Sequence, residues 1–158
     1  MKTRMPSAVS PAVSGELLHY INSSKLLPGD ILLCTDPDSP VSKAIRRATQ
    51  SRYSHAAIFI GNGGFVEAVG SGVRRFLIDS TAVRNPENVR FLRLKDTVPN
   101  ARSLAEGAGR KAENYVARRY WVPGAVAARV PGVNLKRRGK FFCSQLVAQA
   151  FREFASSV

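Results

Sequence analysis

The sequence predicts an α+β fold in which a central antiparallel sheet packs against helices. The first observation is a run of extended apolar segments in the middle of the chain, with helical patterns before, between and after it. The second is "GNGG" between two of these segments, residues 56–60 and 65–69, which is among the strongest hairpin signals. The third is an amphipathic pattern over residues 143–154, which predicts a closing helix.

Three segments precede the central strands. Residues 1–14 are rich in Ser, Pro and Ala and are expected to form a flexible lead-in to a single domain over residues 15–158. Residues 15–24 predict a short helix that ends near "NSS". The segment "LPGDILLC" then predicts a turn and an apolar strand, with Gly29 and Asp30 in the turn.

Helices and further strands surround the predicted hairpin. "DSPVSKAIRRATQSR" has a helix-start pattern, with Ser39 as the N-cap and Pro40 at the first helical position. After the hairpin, "GVRRFLID" and "VRFLRL" predict two more strands. Residues 101–118 predict a helix that ends at "RYWVPG", and a basic loop containing Gly and Pro leads on to Cys143.

Composition limits the class of protein. A chain of 158 residues, 44% of them hydrophobic, is long enough for one domain with a core. Two cysteines without metal-type spacing predict neither a disulfide framework nor zinc, and we expect no metal and no cofactor. The N-terminus lacks the apolar core of about 7–15 residues found in a signal peptide. No segment reaches the roughly 18–20 apolar residues of a membrane span, so a soluble protein is expected.

Cys143 lies in the first turn of the closing helix. The apolar stripe through Leu146, Val147 and Ala150 places it on or beside the core-facing side. A helix N-terminus carries roughly half a positive charge, which lowers the pKa of a thiol, especially next to an imidazolium. A buried structural cysteine is the alternative, because free cysteine is among the most often buried residues. Spacing alone leaves both interpretations open.

His55 and Glu67 lie on the two strands of the predicted hairpin. With residues 61–64 as the turn, position 58 is expected near position 67, and we expect His55 and Glu67 to share one face of the sheet. A thiolate, an imidazole and a third polar group that fixes the tautomer of the ring form a Cys-His-carboxylate site. Cys143, His55 and Glu67 are the candidates for these three positions.

Three stretches of the chain together resemble a known family. "LPGDILL", "SKAIRRATQSRYSHAAIFIGNGGFVEA" and "FFCSQLVAQAF" are similar to the circularly permuted branch of the NlpC-type papain-fold cysteine peptidases, the YiiX-like group related to lecithin:retinol acyltransferase. The resemblance covers roughly residues 26–154. It implies a permuted papain-like fold, in which the histidine strand comes first and the cysteine helix last, and a bacterial protein that is cytoplasmic or exported without a recognisable signal peptide.

The resemblance also implies roles for individual residues. The match in "FCSQLV" makes Cys143 the nucleophile, the match in "YSHAAI" makes His55 the general base, and the match in "FVEA" makes Glu67 its orienting partner. The oxyanion-assisting tyrosine of the family matches Tyr120, with Tyr53 as the alternative. Backbone N–H groups at the start of the cysteine helix are expected to complete the oxyanion hole.

Other polar residues have weaker cases. Asp30, Ser54 and Ser144 are candidates for substrate binding, although the turn position of Asp30 also suits an architectural role. His19 is interpreted as a surface or capping residue. Cys34 ends an apolar strand and is expected in the core.

The charge predicts an anionic partner. The chain has 24 Lys and Arg against 11 Asp and Glu, a net charge of +13. Its basic runs are not accompanied by any nucleic-acid-binding signature, so no specific nucleic acid is expected. Arg46, Arg47, Arg137 and Arg138 are candidates for steering the protein to anionic phospholipid or an acidic wall polymer. A solvated basic face without a partner is the alternative.

Three functions remain open from the sequence. The first is a cysteine amidase or endopeptidase that cleaves peptidoglycan stem peptides through an acyl-enzyme, with an immunity protein as a candidate partner if it is delivered as a toxin. The second is a thioesterase, lipase or acyltransferase acting on lipid-linked acyl groups at anionic membranes. The third is a non-enzymatic anion-binding domain. A monomer is expected in each case.

Overall fold

The fold is known from a computed structural model, which describes residues 19–78, 82–83, 85–117, 119–120 and 140–157. Three helices lie in these ranges, α1 (Pro40–Thr49), α2 (Ala101–Glu113) and α3 (Cys143–Ala155). In chain order the strands are β1 (His19–Tyr20), β2 (Ile31–Cys34), β3 (His55–Gly61), β4 (Gly64–Val69), β5 (Gly72–Leu77), β6 (Ala82–Val83), β7 (Val89–Leu92), β8 (Arg119–Tyr120) and β9 (Lys140–Phe141).

The predicted α+β class is confirmed. Strands β5, β4, β3, β2 and β7 form, in that order, a five-stranded sheet in which every neighbouring pair is antiparallel. The short strands pair outside this sheet, β1 with β6 and β8 with β9. None of the helices in the described ranges is long and apolar enough to cross a membrane. The lead-in over residues 1–14 lies outside the described residues, and the single-domain assignment stays a prediction.

The predicted hairpin is present, with a tighter turn and a β-bulge. Asn62 and Gly63 form the turn at φ values of 49° and 68°, and positive φ at both central residues is what a type I′ turn requires. Gly61 pairs with Gly64, and the next pair joins Phe59 to Phe65. This step covers two residues of β3 but one residue of β4, so the bulge shifts the register by one. Ala57, rather than position 58, therefore lies opposite Glu67.

Both faces of the sheet are covered by apolar side chains. Helices α2 and α3 pack on the face that carries Ile58 and Val66, and Leu146 of α3 is fully buried there. The opposite face carries a second cluster, in which the rings of Phe59 and Phe65 lie 5.0 Å apart. The residues that complete this second cluster are Leu32, Ala57 and Ile78. His55 and Glu67 also lie on this second face. Glu67 pairs with Ala57, and His55 lies two residues before Ala57 on β3, where alternation returns the side chain to the same face.

Helix α1 begins as predicted. The Ser39 hydroxyl accepts a hydrogen bond from the Ser42 N–H, and Pro40 occupies the first helical position. The predicted helix over residues 101–118 ends earlier, at Glu113, and the chain leaves it through Ala117 at a φ of 70°.

The helix predicted over residues 15–24 is wrong for its described part. Residues 19–20 form β1, and residues 23–25 form a single 3₁₀ turn. The Asn22 carboxamide oxygen accepts hydrogen bonds from both the N–H and the hydroxyl of Ser24. Short polar side chains of this kind favour local turns over helix interiors, which explains the difference.

Gly29 shows how closely α2 approaches the sheet. It precedes β2 at a φ of 91°, and its N–H donates to the Phe59 carbonyl at 2.8 Å. A Cβ at this position would overlap the backbone of Ala105 in α2. Gly61 has a similar φ of 99°, but a Cβ there meets only Pro28 at 3.6 Å.

We expect Gly29→Ala to destabilise the protein more than Gly61→Ala does. Both substitutions force a side chain into the left-handed region, at a cost of about 1–3 kcal/mol. Only Gly29→Ala also displaces the α2 backbone, which adds roughly 1–3 kcal/mol by overpacking. Urea unfolding of the two variants measures the difference in the free energy of unfolding. Equal losses would show that α2 adjusts without cost at this contact.

Candidate active site

Cys143 is the first residue of α3 and is buried against the start of β3. Its Sγ atom lies 3.8 Å from the carbonyl oxygen of Ser54. The backbone N–H groups of Ala56 and Ser144 also hydrogen-bond to the sulfur. The thiol therefore contacts the backbone on both sides of His55. Phe142, the N-cap, provides no side-chain hydrogen bond to the first turn of the helix.

His55 and Glu67 form a buried pair on adjacent strands. His55 begins β3, and its Nε2 atom lies 2.8 Å from the Oε2 atom of Glu67. Glu67 has no exposed surface. Its other oxygen, Oε1, accepts a hydrogen bond of 2.7 Å from the guanidinium of Arg74 on β5. Because Nε2 faces Glu67, the Nδ1 atom is the ring nitrogen that is left to meet the thiol of Cys143.

The Cys143 and His55 side chains interact, and each alters the pKa of the other. Burial alone would lower the pKa of His55, but hydrogen bonds and charge interactions with Cys143 and Glu67 raise it to about 10. Burial alone would raise the pKa of Cys143, but the hydrogen bond and charge of His55, helped by the N–H groups of Ala56 and Ser144, lower it below its ordinary value. These shifts favour a thiolate–imidazolium pair at neutral pH.

The second cysteine has the opposite character. Cys34 ends β2 directly opposite His55 and is buried, as expected of a core residue. Burial, together with the nearby acidic groups Glu67, Cys143 and Asp36, raises the pKa of the Cys34 thiol far above its ordinary value. Cys34 is therefore a protonated thiol near the site, in contrast to Cys143.

A cluster of buried hydroxyl groups supports the chain just before His55. The Ser54 hydroxyl lies 2.6 Å from that of Ser42 in α1, which lies 3.0 Å from the hydroxyl of Thr35 after β2. Because the Ser54 hydroxyl is buried among these groups, it is the Ser54 carbonyl that meets Cys143. No pattern in the sequence pointed to this cluster, since each member has an ordinary sequence context.

The remaining substrate-binding candidates lie in different places. Ser144 is exposed next to Cys143. Asp30 is buried just before the start of β2, whereas His55 lies opposite Cys34 at the end of that strand. The Asp30 carboxylate accepts hydrogen bonds of 2.7 and 2.8 Å from Arg93. The same carboxylate accepts a 2.8 Å hydrogen bond from the N–H of Leu27, so it fixes the turn before β2. The structure does not bring Asp30 to the thiol.

The two tyrosine candidates lie on opposite sides of the cysteine in the chain. Tyr53 is half-buried, two residues before His55. Tyr120 lies in β8, where its backbone pairs in parallel with Phe141 in β9, two residues before Cys143. The side chain of Tyr120 lies outside the described part of the structure, so the choice between them stays a prediction. His19, expected on a helix, lies half-buried in β1.

Two of the four arginines proposed for anion steering are described. Arg46 and Arg47 lie in the last turn of α1. Arg47 is exposed, whereas Arg46 is half-buried and its Nε atom has no hydrogen-bond partner among the described residues. Arg137 and Arg138 lie outside the described residues. Steering to an anionic surface stays a prediction.

The comparisons with known proteins show the fold. No protein-family model and no curated protein matches the sequence. Among solved structures, the chain is similar to the metalloprotein YiiX from Escherichia coli O157:H7, with a TM-score of 0.52 and 18% sequence identity. The chain has a YiiX-like fold. The match covers 82% of this chain and 66% of the YiiX chain, so the YiiX-like region spans just under two thirds of the length of YiiX.

YiiX is described as a metalloprotein. The question for this chain is whether the residues around Cys143 could bind a metal ion. Within the ranges that the structure describes, no three His, Cys, Asp or Glu side chains form a group that fits a metal ion. His55 and Glu67 bond to each other at 2.8 Å and do not converge on a common point, as ligands of one ion must. The described residues around Cys143 therefore do not fit a metal.

We expect iodoacetamide to alkylate Cys143 at neutral pH and to leave Cys34 unmodified in the folded protein. The rate follows the thiolate fraction, so its midpoint for Cys143 is expected below the ordinary thiol pKa of about 8.5. His55→Ala removes the hydrogen bond and the charge that lower the pKa, and should raise this midpoint. Mass spectrometry of tryptic peptides assigns the modified cysteine. A midpoint at or above 8.5 in the wild type would contradict the assignment of a thiolate.

We expect Cys143→Ala to lower the pKa of His55. The thiolate stabilises the imidazolium, so its removal should move the His55 titration down from about 10. The chain has two histidines, so NMR of the imidazole protons resolves both, and His19→Gln assigns them. Cys34→Ala is the control and should leave the titration in place. A His55 pKa that stayed near 10 without the thiol would show that Glu67 alone holds the proton.

Proposed function

We propose that the protein is a cysteine hydrolase that works through an acyl-enzyme on Cys143. The observation that carries this proposal is the buried group Cys143, His55 and Glu67, in which His55 is hydrogen-bonded to Glu67 and interacts with a cysteine 88 residues further along the chain. Burying a thiol, an imidazole and a carboxylate together is costly for a domain that only needs a core. Perturbed pKa values of this kind cluster at functional sites.

The geometry supports a two-step acyl transfer. The Cys143 thiolate attacks the carbonyl carbon of the substrate and forms a C–S bond, and the electron pair of the carbonyl moves to its oxygen. The tetrahedral intermediate collapses, and the leaving amine takes the proton of the His55 imidazolium. His55, now neutral, removes a proton from water as the water attacks the acyl group. The C–S bond breaks, and the thiolate–imidazolium pair forms again. Glu67 holds the orientation of the ring in both steps.

Stabilisation of the oxyanion is proposed for the start of α3. No side-chain cap bonds to the first turn of this helix, and the first N–H groups of a helix have no partner within the helix. Tyr120 is the proposed side-chain donor, because the pairing of β8 with β9 brings its backbone next to Phe141. Tyr53 is the alternative donor.

The order of elements supports a permuted papain-like fold of the NlpC type. The strand with His55 precedes the helix with Cys143 by more than eighty positions in the chain, which is the order of the permuted branch. The similarity to YiiX supports the YiiX-like part of this assignment. In the proposed arrangement β3 and β4 supply the base and its partner, and α3 supplies the nucleophile.

The proposed substrate is an amide bond of a peptidoglycan stem peptide. The second candidate is a thioester or lipid-linked acyl group at an anionic membrane, and the net charge of +13 together with the exposed Arg47 favours it. Both substrates present a carbonyl to the same thiolate, so the chemistry of the site is shared. A domain that binds an anionic surface without turnover is the third candidate.

We expect the wild type to hydrolyse purified peptidoglycan fragments and Cys143→Ala to lose this activity by at least about a thousandfold. Glu67→Gln should cause a smaller loss, because the ring of His55 keeps a hydrogen-bond partner. Cys34→Ala, a change at a thiol outside the mechanism, is the matched control. Product release is measured by mass spectrometry, with anionic and neutral phospholipid vesicles as parallel substrates.

The outcomes separate the three candidates. Release of fatty acid from anionic vesicles, without cleavage of stem peptides, would establish the lipid hydrolase instead. Binding to anionic vesicles that salt abolishes, without turnover of either substrate, would support the anion-binding domain. Hydrolysis that survives in Cys143→Ala would disprove the assignment of the nucleophile.

A further inference from the structure

Arg74 extends the buried site to the surface of the sheet. It lies on β5 directly opposite Glu67 on β4, and its Nε and Nη2 atoms each lie 2.7 Å from the Oε1 atom of Glu67. His55 occupies the other oxygen, Oε2. The two oxygens of one fully buried carboxylate are thus divided between a permanent cation and the imidazole. The resulting chain runs from β5 through β4 and β3 to the start of α3.

The proton cycle of His55 explains why Glu67 needs a second cationic partner. In the proposed reaction His55 alternates between imidazolium and neutral imidazole, and only the imidazolium compensates the charge of Glu67. A buried carboxylate without a cationic partner is unfavourable by several kcal/mol and tends to take up a proton. A guanidinium is a permanent cation in proteins, so Arg74 compensates Glu67 in both states of His55.

We propose that Arg74 is a positioning residue that acts through Glu67, and that it sets the pH at which the Cys143–His55 pair becomes reactive. The guanidinium holds the carboxylate in the orientation that meets Nε2 of His55. It also adds a positive charge beside the pair, which favours loss of the Cys143 proton. This role rests on the proposed function, because it concerns the same thiolate and imidazolium.

Several other titratable or charged groups lie around the Arg74, Glu67 and His55 side chains. Among the described residues, the titratable and charged groups around Glu67 and His55 are Arg74 from β5, Cys143 from α3, and Cys34 from β2 with Asp36 beyond it. Cys34 stays protonated because its pKa is raised. Arg74 thus contributes the one guanidinium among these described groups.

Arg75 provides a matched control on the same strand. Its side chain is 50% exposed, against 51% for Arg74, and it also pairs with a glutamate, its Nη1 atom lying 3.5 Å from the Oε1 atom of Glu113 in α2. Adjacent residues of a strand point to opposite faces, so Arg75 faces away from Glu67. Arg75→Gln removes the same charge and a similar ion pair at the neighbouring position of the same strand. It does not touch the site.

The experiment measures the pH midpoint of Cys143 alkylation by iodoacetamide in wild type, Arg74→Gln, Arg74→Lys and Arg75→Gln. We expect Arg74→Gln to raise the midpoint by about half a pH unit or more, because a positive charge next to the carboxylate is lost. Arg74→Lys keeps the charge but loses the planar guanidinium that places two nitrogens against one carboxylate oxygen, so its midpoint should lie between those of wild type and Arg74→Gln. Arg75→Gln should match wild type.

Thermal unfolding of each variant distinguishes positioning from mere stability. A lower Tm of Arg74→Gln with an unchanged midpoint would overturn the proposal, as would equal shifts in Arg74→Gln and Arg75→Gln. If Arg74→Gln does not fold, Arg74→Lys decides the question, since an unchanged midpoint there overturns the proposal and an upward shift supports it. A wild-type midpoint at or above about 8.5 refutes the proposed function itself. A low wild-type midpoint that Arg74→Gln leaves in place refutes only the role of Arg74.

Discussion

The structure depends on one buried interaction, the hydrogen bond between His55 and Glu67. A carboxylate with no exposed surface is tolerated in a sheet only when its oxygens are bonded and its charge is compensated. Its neighbours meet both requirements, with the imidazole on one side and the guanidinium of Arg74 on the other. The pairing of β3, β4 and β5 satisfies this requirement, because each strand contributes one of the three side chains.

The β-bulge at the end of β3 makes that interaction geometrically possible. Side chains alternate between the two faces of a strand, so a register shift of one residue moves a side chain to the other face. Without the bulge Glu67 would pair with Ile58 and lie on the face of the helices, away from the side of His55. With it, Glu67 pairs with Ala57 and shares a face with His55. A single extra residue next to the turn thus decides which polar groups meet several residues away.

The sequence was informative about elements and about residue types, and much less about register and partners. The hairpin, the start of α1 at Ser39 and the closing helix follow from local preferences that act within a few residues. Cys143, His55 and Glu67 were found because their chemistry and their order in the chain resemble a known family. The bulge and the choice of Arg74 over Arg75 depend on tertiary packing, which decides register and face, and no local pattern encodes it. The 3₁₀ turn at residues 23–25 was also not predicted, because short polar side chains near Asn22 are compatible with both a turn and a helix.

The position of α3 after the sheet has a consequence for biosynthesis. The ribosome releases β3, β4 and β5 first, so the imidazole and its carboxylate can pair while Cys143 is still being synthesised. Cys143 is then an ordinary thiol, because its low pKa arises only from contacts that form when α3 docks on β3. A nascent or partly folded chain thus carries no thiol with a lowered pKa. In this protein the acidity of the Cys143 thiol is a property of the completed fold.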